Sequence, residues 1–128
     1  MKKQVSLTPR TTEFLKNLGY FTARTEHWNP FAHIRQDLFH WIDLVAVHPQ
    51  RQGVLGVQVS THEHQSDRIK KALGNPALIA WLLAGNSLTF HGWQKLKNRW
   101  VLKERPVAMT DLIRSQDNAL PDSILKES

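Results

Sequence analysis

The spacing of apolar positions changes several times along the chain, and each change marks an element. In residues 8–19, Phe14, Leu15 and Leu18 share one helical face. Thr8 is placed to accept from first-turn amides, Pro9 suits the first helical position, and Gly19 can close the helix in left-handed geometry. Residues 20–28 alternate and contain Tyr20, Phe21, Thr22 and Thr25, which predicts a strand broken at Asn29-Pro30. Residues 38–47 are almost continuously apolar, as expected of a central strand covered on both faces, and the one acid in that run is Asp43. A polar turn at 49–53 leads to a second apolar strand at 54–61, close enough in sequence to form a hairpin with the first.

Two helices are expected next. Residues 65–73 are amphipathic and basic, with Arg68, Lys70 and Lys71, and end at Gly74. Asn75-Pro76 gives a second cap-then-proline signal and opens residues 77–84, so apolar all round that burial against a sheet is predicted. Residues 87–93 and 99–103 predict a last pair of strands joined by the basic turn 94–98, and residues 109–114 predict a short helix. The resulting order is αβββααββ, an α/β (α+β) fold with helices packed on a mixed sheet. Residues 1–114 form a single domain in this reading, and 115–128 are a polar tail.

Composition narrows the partners. The 128 residues suit one domain, and no apolar window is long enough to span a membrane. The first residues, Met1-Lys2-Lys3-Gln4-Val5-Ser6, are basic without the apolar run of a secretory signal, which points to the cytoplasm. The absence of cysteine excludes disulfides and cysteine-bound zinc. Seventeen Lys and Arg against eleven Asp and Glu give a net charge of +6. That excess favours a polyanionic partner, nucleic acid ahead of an anionic membrane.

Within this frame, an acid in an apolar strand needs a reason. A lone ionised carboxylate is costly to bury, so Asp43 is expected either to pair with a cation such as Arg35 or to bind a metal. Gln58 is the interior polar residue of the next strand. His62-Glu63-His64 offers another metal arrangement if it is extended, since residues i and i+2 share a face, but no spaced third ligand accompanies it. His40 and His48 flank the Asp43 run and are candidate general bases. Trp28 and Trp93 lie near expected loops, where they could stack on bases, whereas core packing is the expectation for most of the five tryptophans. Lys95, Lys97 and Arg99 make a basic hairpin tip suited to phosphate contact.

The run Arg35-Gln36-Asp37-Leu38-Phe39-His40-Trp41-Ile42-Asp43, followed by Gly56-Val57-Gln58-Val59-Ser60-Thr61, resembles the PD-(D/E)XK nuclease superfamily, in particular its phage and prophage members. Gly92-Trp93-Gln94-Lys95 and Arg99-Trp100 fit the same group, and the likeness covers roughly residues 8–105. The resemblance implies a restriction-endonuclease-like fold and a DNA endonuclease using Mg²⁺ or Mn²⁺, with branched or junction DNA as the substrate and a homodimer as the acting form. It implies that Asp43 is the essential ligand, joined by the Gln58 side-chain oxygen and the Val59 carbonyl, with Glu13 as the extra acid of junction-resolving members. Gln58 and Ser60 stand where the motif has an acid and a lysine, so the resemblance passes the missing cation to Arg68, Lys70 or Lys71. The same two departures favour an alternative, a nucleic-acid-binding module that kept the fold and lost the activity.

Overall fold

The computed structural model describes residues 7–117. Helix α1 (Thr8–Asn17) leads to strand β1 (Phe21–Arg24). Strands β2 (His27–Asn29) and β3 (Ile34–Gln36) follow, then β4 (Leu44–Val47) and β5 (Leu55–Thr61). Helices α2 (Gln65–Leu73) and α3 (Pro76–Leu83) precede β6 (Ser87–Leu96), β7 (Arg99–Val107) and α4 (Met109–Asp117). The main sheet has the order β1-β4-β5-β6-β7, while β2 and β3 pair as a separate two-stranded ribbon. β1, β4 and β5 form an antiparallel meander, β6 lies parallel to β5, and β7 returns antiparallel to β6. Helices α2 and α3 make the crossover that a parallel pair requires. With the β2–β3 ribbon set aside, the expected αβββααββ order is present, and α4 follows it.

Strand alternation divides the core in two. Leu44, Ala46 and Val57 pack with Leu15 of α1 on one face. On the other, Leu88 and Phe90 pack with Trp41, Ile42, Ala72, Leu78 and Leu112, which brings in α2, α3 and α4. One polar chain runs through the α1 side. The Trp93 indole N–H donates to the Thr11 hydroxyl (2.8 Å), and Thr11 meets His91 Nδ1 at 3.1 Å. The Glu104 carboxylate, 3.0 Å from Nε2, can only accept, so the neutral His91 ring carries its proton on Nε2. Nδ1 is then the acceptor, and the Thr11 proton goes to it. Burial lowers the His91 pKa below its ordinary 6.5, and the Glu104 contact offsets part of that effect.

The structure corrects several expectations. Leu7 rather than Thr8 occupies the cap position of α1, and no side chain caps it. Residues 20–28 are not one strand, because β1 ends at Arg24 and the chain leaves the sheet for β2. Only Leu44–Val47 of the 38–47 run is a strand. Leu38 and Ile42 form a bridge instead, closing a loop in which Phe39 and His40 take positive φ angles of 54° and 68°. Helix α3 is half-covered and not buried all round, with Leu78 fully buried and Leu83 71% exposed. β6 and β7 run further than expected and meet at a two-residue Lys97-Asn98 turn with φ angles of 45° and 66°. That geometry matches strand twist and suits Asn. The last helix passes residue 114 and reaches Asp117, and the rest of the expected tail lies outside the described residues. Among the described residues, no helix is long and apolar enough to cross a membrane.

Candidate functional site

Asp43 stands immediately before β4, and its backbone is tied in three directions. Its N–H donates to the Val57 carbonyl (2.9 Å), and its own carbonyl accepts from the Thr25 and Glu26 N–H groups (2.9 and 3.2 Å). The Thr25 hydroxyl adds a 2.7 Å bond to the Ile42 carbonyl. These bonds hold the start of β4 against both β5 and the exit from β1. The Asp43 side chain is then fixed by a 2.7 Å bond from the Val59 N–H to Oδ2.

Two backbone registers bring further acids to it. β2 and β3 pair His27 with Gln36, so the next positions out from the ribbon are Glu26 and Asp37. The Leu38–Ile42 bridge closes the following loop, and the next positions out from that bridge are Asp37 and Asp43. Asp37 therefore belongs to both corners. One carboxylate oxygen from each of Glu26, Asp37 and Asp43 lies within 4.8 Å of the others. Asp43 is 5% exposed, while Glu26 and Asp37 are half-buried. Arg24 pairs with Glu26 at the outer side.

Burial pushes the Asp43 carboxyl up to about 8. The Val59 N–H opposes that rise, whereas the charge and hydrogen bond of Asp37 and the charge of Glu26 add to it. A carboxyl so placed gives up its proton readily only when positive charge arrives beside it. Three hard oxygen donors in one place are the chemistry that Mg²⁺ or Mn²⁺ takes.

Two cavities meet here. One, of about 550 Å³, is lined by Glu26, Asp37, Asp43, Ser60 and Arg68 among others. The second, of about 680 Å³, shares Asp37, His64 and Arg68 and extends past His40, Trp41, Gln58 and Lys71.

The expected site residues divide accordingly. Asp43, Val59, Ser60 and Arg68 come together. The Val59 N–H donates to the Asp43 carboxylate and orients it. The Ser60 hydroxyl donates to the Thr61 carbonyl (3.0 Å). Gln58 and Lys71 line the neighbouring cleft, and Lys70 is exposed on α2. Arg68 reaches both cavities, which makes it the best placed of the three cations to act in place of the motif lysine. Glu13 is exposed on α1 beside a different cavity, with Lys16 and Arg24, and does not join the acids. The Arg35 side chain lies outside the described residues.

Histidines and tryptophans sort in the same way. His62 and His64 lie in a turn, so the shared strand face expected of them is absent, and neither belongs to the acidic group. His40 lines the second cleft. His48 accepts from the Gln50 N–H (3.0 Å) at Nδ1 and meets the Leu18 carbonyl (3.1 Å) with Nε2, a structural role beyond the far end of β4. Trp93 is buried and bonded to Thr11, so it is not available for stacking, whereas Trp28 on β2 is 56% exposed. Lys95, Lys97 and Arg99 are all exposed at the β6–β7 tip. Thr61 at the end of β5 pairs with Trp93, so β6 continues to Leu96 and carries that basic tip about 10 Å past the sheet end that holds the acids.

Glu26 and Asp37 are the functional candidates that the sequence pattern missed. Asp37 lies inside the motif-like run, but periodicity carries no sign of its approach to Glu26. Comparison with family models, curated proteins and solved structures finds no match for the chain.

Proposed function

We propose that the protein is a metal-dependent DNA endonuclease of the PD-(D/E)XK type, with Asp43 at the centre of its metal site. The observation that carries this reading is the convergence of Glu26, Asp37 and buried Asp43 at one end of the sheet. The element order supports it as well: a helix, three sheet strands and then two helices follow the layout that the resemblance implies, on a mixed sheet. Net charge of +6 and the basic β6–β7 tip at the same end give a polyanion a place to lie.

Asp43, Asp37 and Glu26 would hold the cation. A divalent ion bound there would supply Lewis-acid assistance to phosphodiester hydrolysis. The chain's own residues do the rest. The Val59 N–H fixes the Asp43 carboxylate, Arg68 meets negative charge developing on the phosphate, and the β6–β7 tip contacts flanking phosphates. Ser60 is too short to replace the motif lysine, and its proton is already committed to Thr61.

The departures at Gln58 and Ser60 favour the second reading, a nucleic-acid-binding module without catalysis. Cleavage of labelled duplex, single-stranded and four-way-junction DNA with Mg²⁺ or Mn²⁺ separates the two. Metal-dependent cutting that disappears in Asp43→Ala supports the nuclease. Tight binding with no cutting by the wild type under any of these conditions moves the assignment to the binding module.

A further inference from the structure

We infer that the cleft beside the acid cluster takes an unpaired nucleobase, so that the strand cut carries an unstacked nucleotide next to the scissile phosphate. This rests on the nuclease reading and specifies its substrate. The cleft measures about 680 Å³, within the range that houses a small ligand. Trp41 and Gln58 both line it, 1% and 4% exposed. The indole Nε1 of Trp41 and the Oε1 of Gln58 are buried and have no hydrogen-bond partner among the described residues. Buried polar groups are nearly always satisfied, so an unmet donor and an unmet acceptor in two residues that line the same cleft point to a ligand that completes them once the side chains turn toward it.

The two groups also indicate what kind of ligand. A phosphate offers only acceptors, which would suit the Trp41 N–H and leave the Gln58 carbonyl unmet. The edge of a nucleobase presents donors and acceptors side by side and suits both. Because Oε1 makes no bond, turning the amide toward a base breaks none there. Arg68 and Lys71 on the same cleft supply cations for the phosphates on either side of that base. Asp37 is common to the cleft and the acid cluster, so a base in the cleft puts its own backbone beside the metal site. A base inside a duplex has its edge paired and its faces stacked, so only a flipped or single-stranded one can enter.

The test uses the intact protein without divalent metal, so that nothing is cut. Anisotropy compares a short oligothymidylate with an abasic oligomer of equal length and charge. The wild type should bind the thymidylate about tenfold or more tightly, the scale of one base contact. Gln58→Leu keeps the side-chain volume and removes the amide, and should cut that preference by about threefold or more. The Trp41 indole N–H resonance, identified by its disappearance in Trp41→Phe, should shift with the thymidylate and not with the abasic oligomer; this readout needs only folded wild type. Equal affinities in the wild type, or a preference undiminished in Gln58→Leu, would overturn the inference. Neither result bears on metal-dependent cleavage, and failure of cleavage leaves this affinity ratio unchanged.

Discussion

Asp43 is a residue whose presence costs the fold something. Burial holds its carboxyl near 8 and two other acids stand beside it. Asp43→Asn keeps the shape, can still accept from the Val59 N–H, and can donate to Asp37. In metal-free protein at neutral pH it should therefore melt higher, by about 1–3 kcal/mol of stability or roughly 3–10 °C. A lower melting temperature in a thermal scan would contradict this. Gln58→Leu should also be neutral or stabilising, since it removes an unpartnered buried carbonyl, and the same scan reads it. Thr11→Val should act the other way, because it strands the Trp93 indole N–H and the His91 ring, at a cost of about 1–3 kcal/mol.

These groups give the stability a pH dependence of definite sign. The folded pKa of His91 lies below 6.5, so its contribution is complete above that value and is lost as pH falls through 6.5 toward the folded pKa. Asp43 does the reverse. With its pKa raised from 3.8 to about 8, stability is complete below 3.8 and declines as pH rises between the two values. The two slopes oppose each other around pH 5–6, so Asp43→Asn should uncover the His91 slope, seen as denaturant midpoints that fall on acidification. Midpoints in that variant that stay flat from pH 7.5 to 5 would contradict a lowered His91 pKa.

At the scale of elements, the best legible parts were those with one strong local signal. The amphipathic basic run gave α2 at its observed bounds, and the Asn75-Pro76 signal placed α3, where Asn75 Oδ1 does accept from the Ala77 N–H at 2.9 Å. The 38–47 run misled because continuous apolarity has two causes. Trp41 and Ile42 pack on the α2–α4 side and Leu44 and Ala46 on the α1 side, with a tight loop before them in place of further strand. The same loop explains why Asp43 was legible and its companions were not. An acid among apolar residues stands out in a sequence, whereas Glu26 and Asp37 join it through registers set by two short bridges.

The β2–β3 ribbon is the element with most to reveal. Its base carries Glu26 and Asp37, while Phe31 and Trp28 are 94% and 56% exposed on it. Replacing both aromatics by Ala should leave the melting temperature within a few degrees and weaken binding to single-stranded DNA by about tenfold or more. Unchanged affinity in the folded variant would show that the ribbon is no stacking surface. At the opposite hairpin, changing Lys95, Lys97 and Arg99 to Gln should lower the slope of log affinity against log salt by about 2 to 3, close to one unit for each phosphate no longer neutralised. A slope that does not move would place the DNA elsewhere.

Over the whole molecule, acidic and basic groups are unevenly distributed. A chain of net charge +6 has gathered three acids at one end of its sheet and set Arg68, Lys71 and the β6–β7 tip around that end. A basic surface attracts a phosphate backbone, and an acidic centre alone would repel it. On the proposed function, a divalent cation would resolve that conflict, because it would neutralise the acids and present positive charge to the phosphate. The measurement closest to this claim is calorimetric titration of Mn²⁺ into the wild type and into Asp43→Asn. Saturable binding by the wild type, weakened about tenfold or more in the variant, is the expected result. Mn²⁺ binding that is absent from the folded wild type, or equally strong in Asp43→Asn, would contradict it.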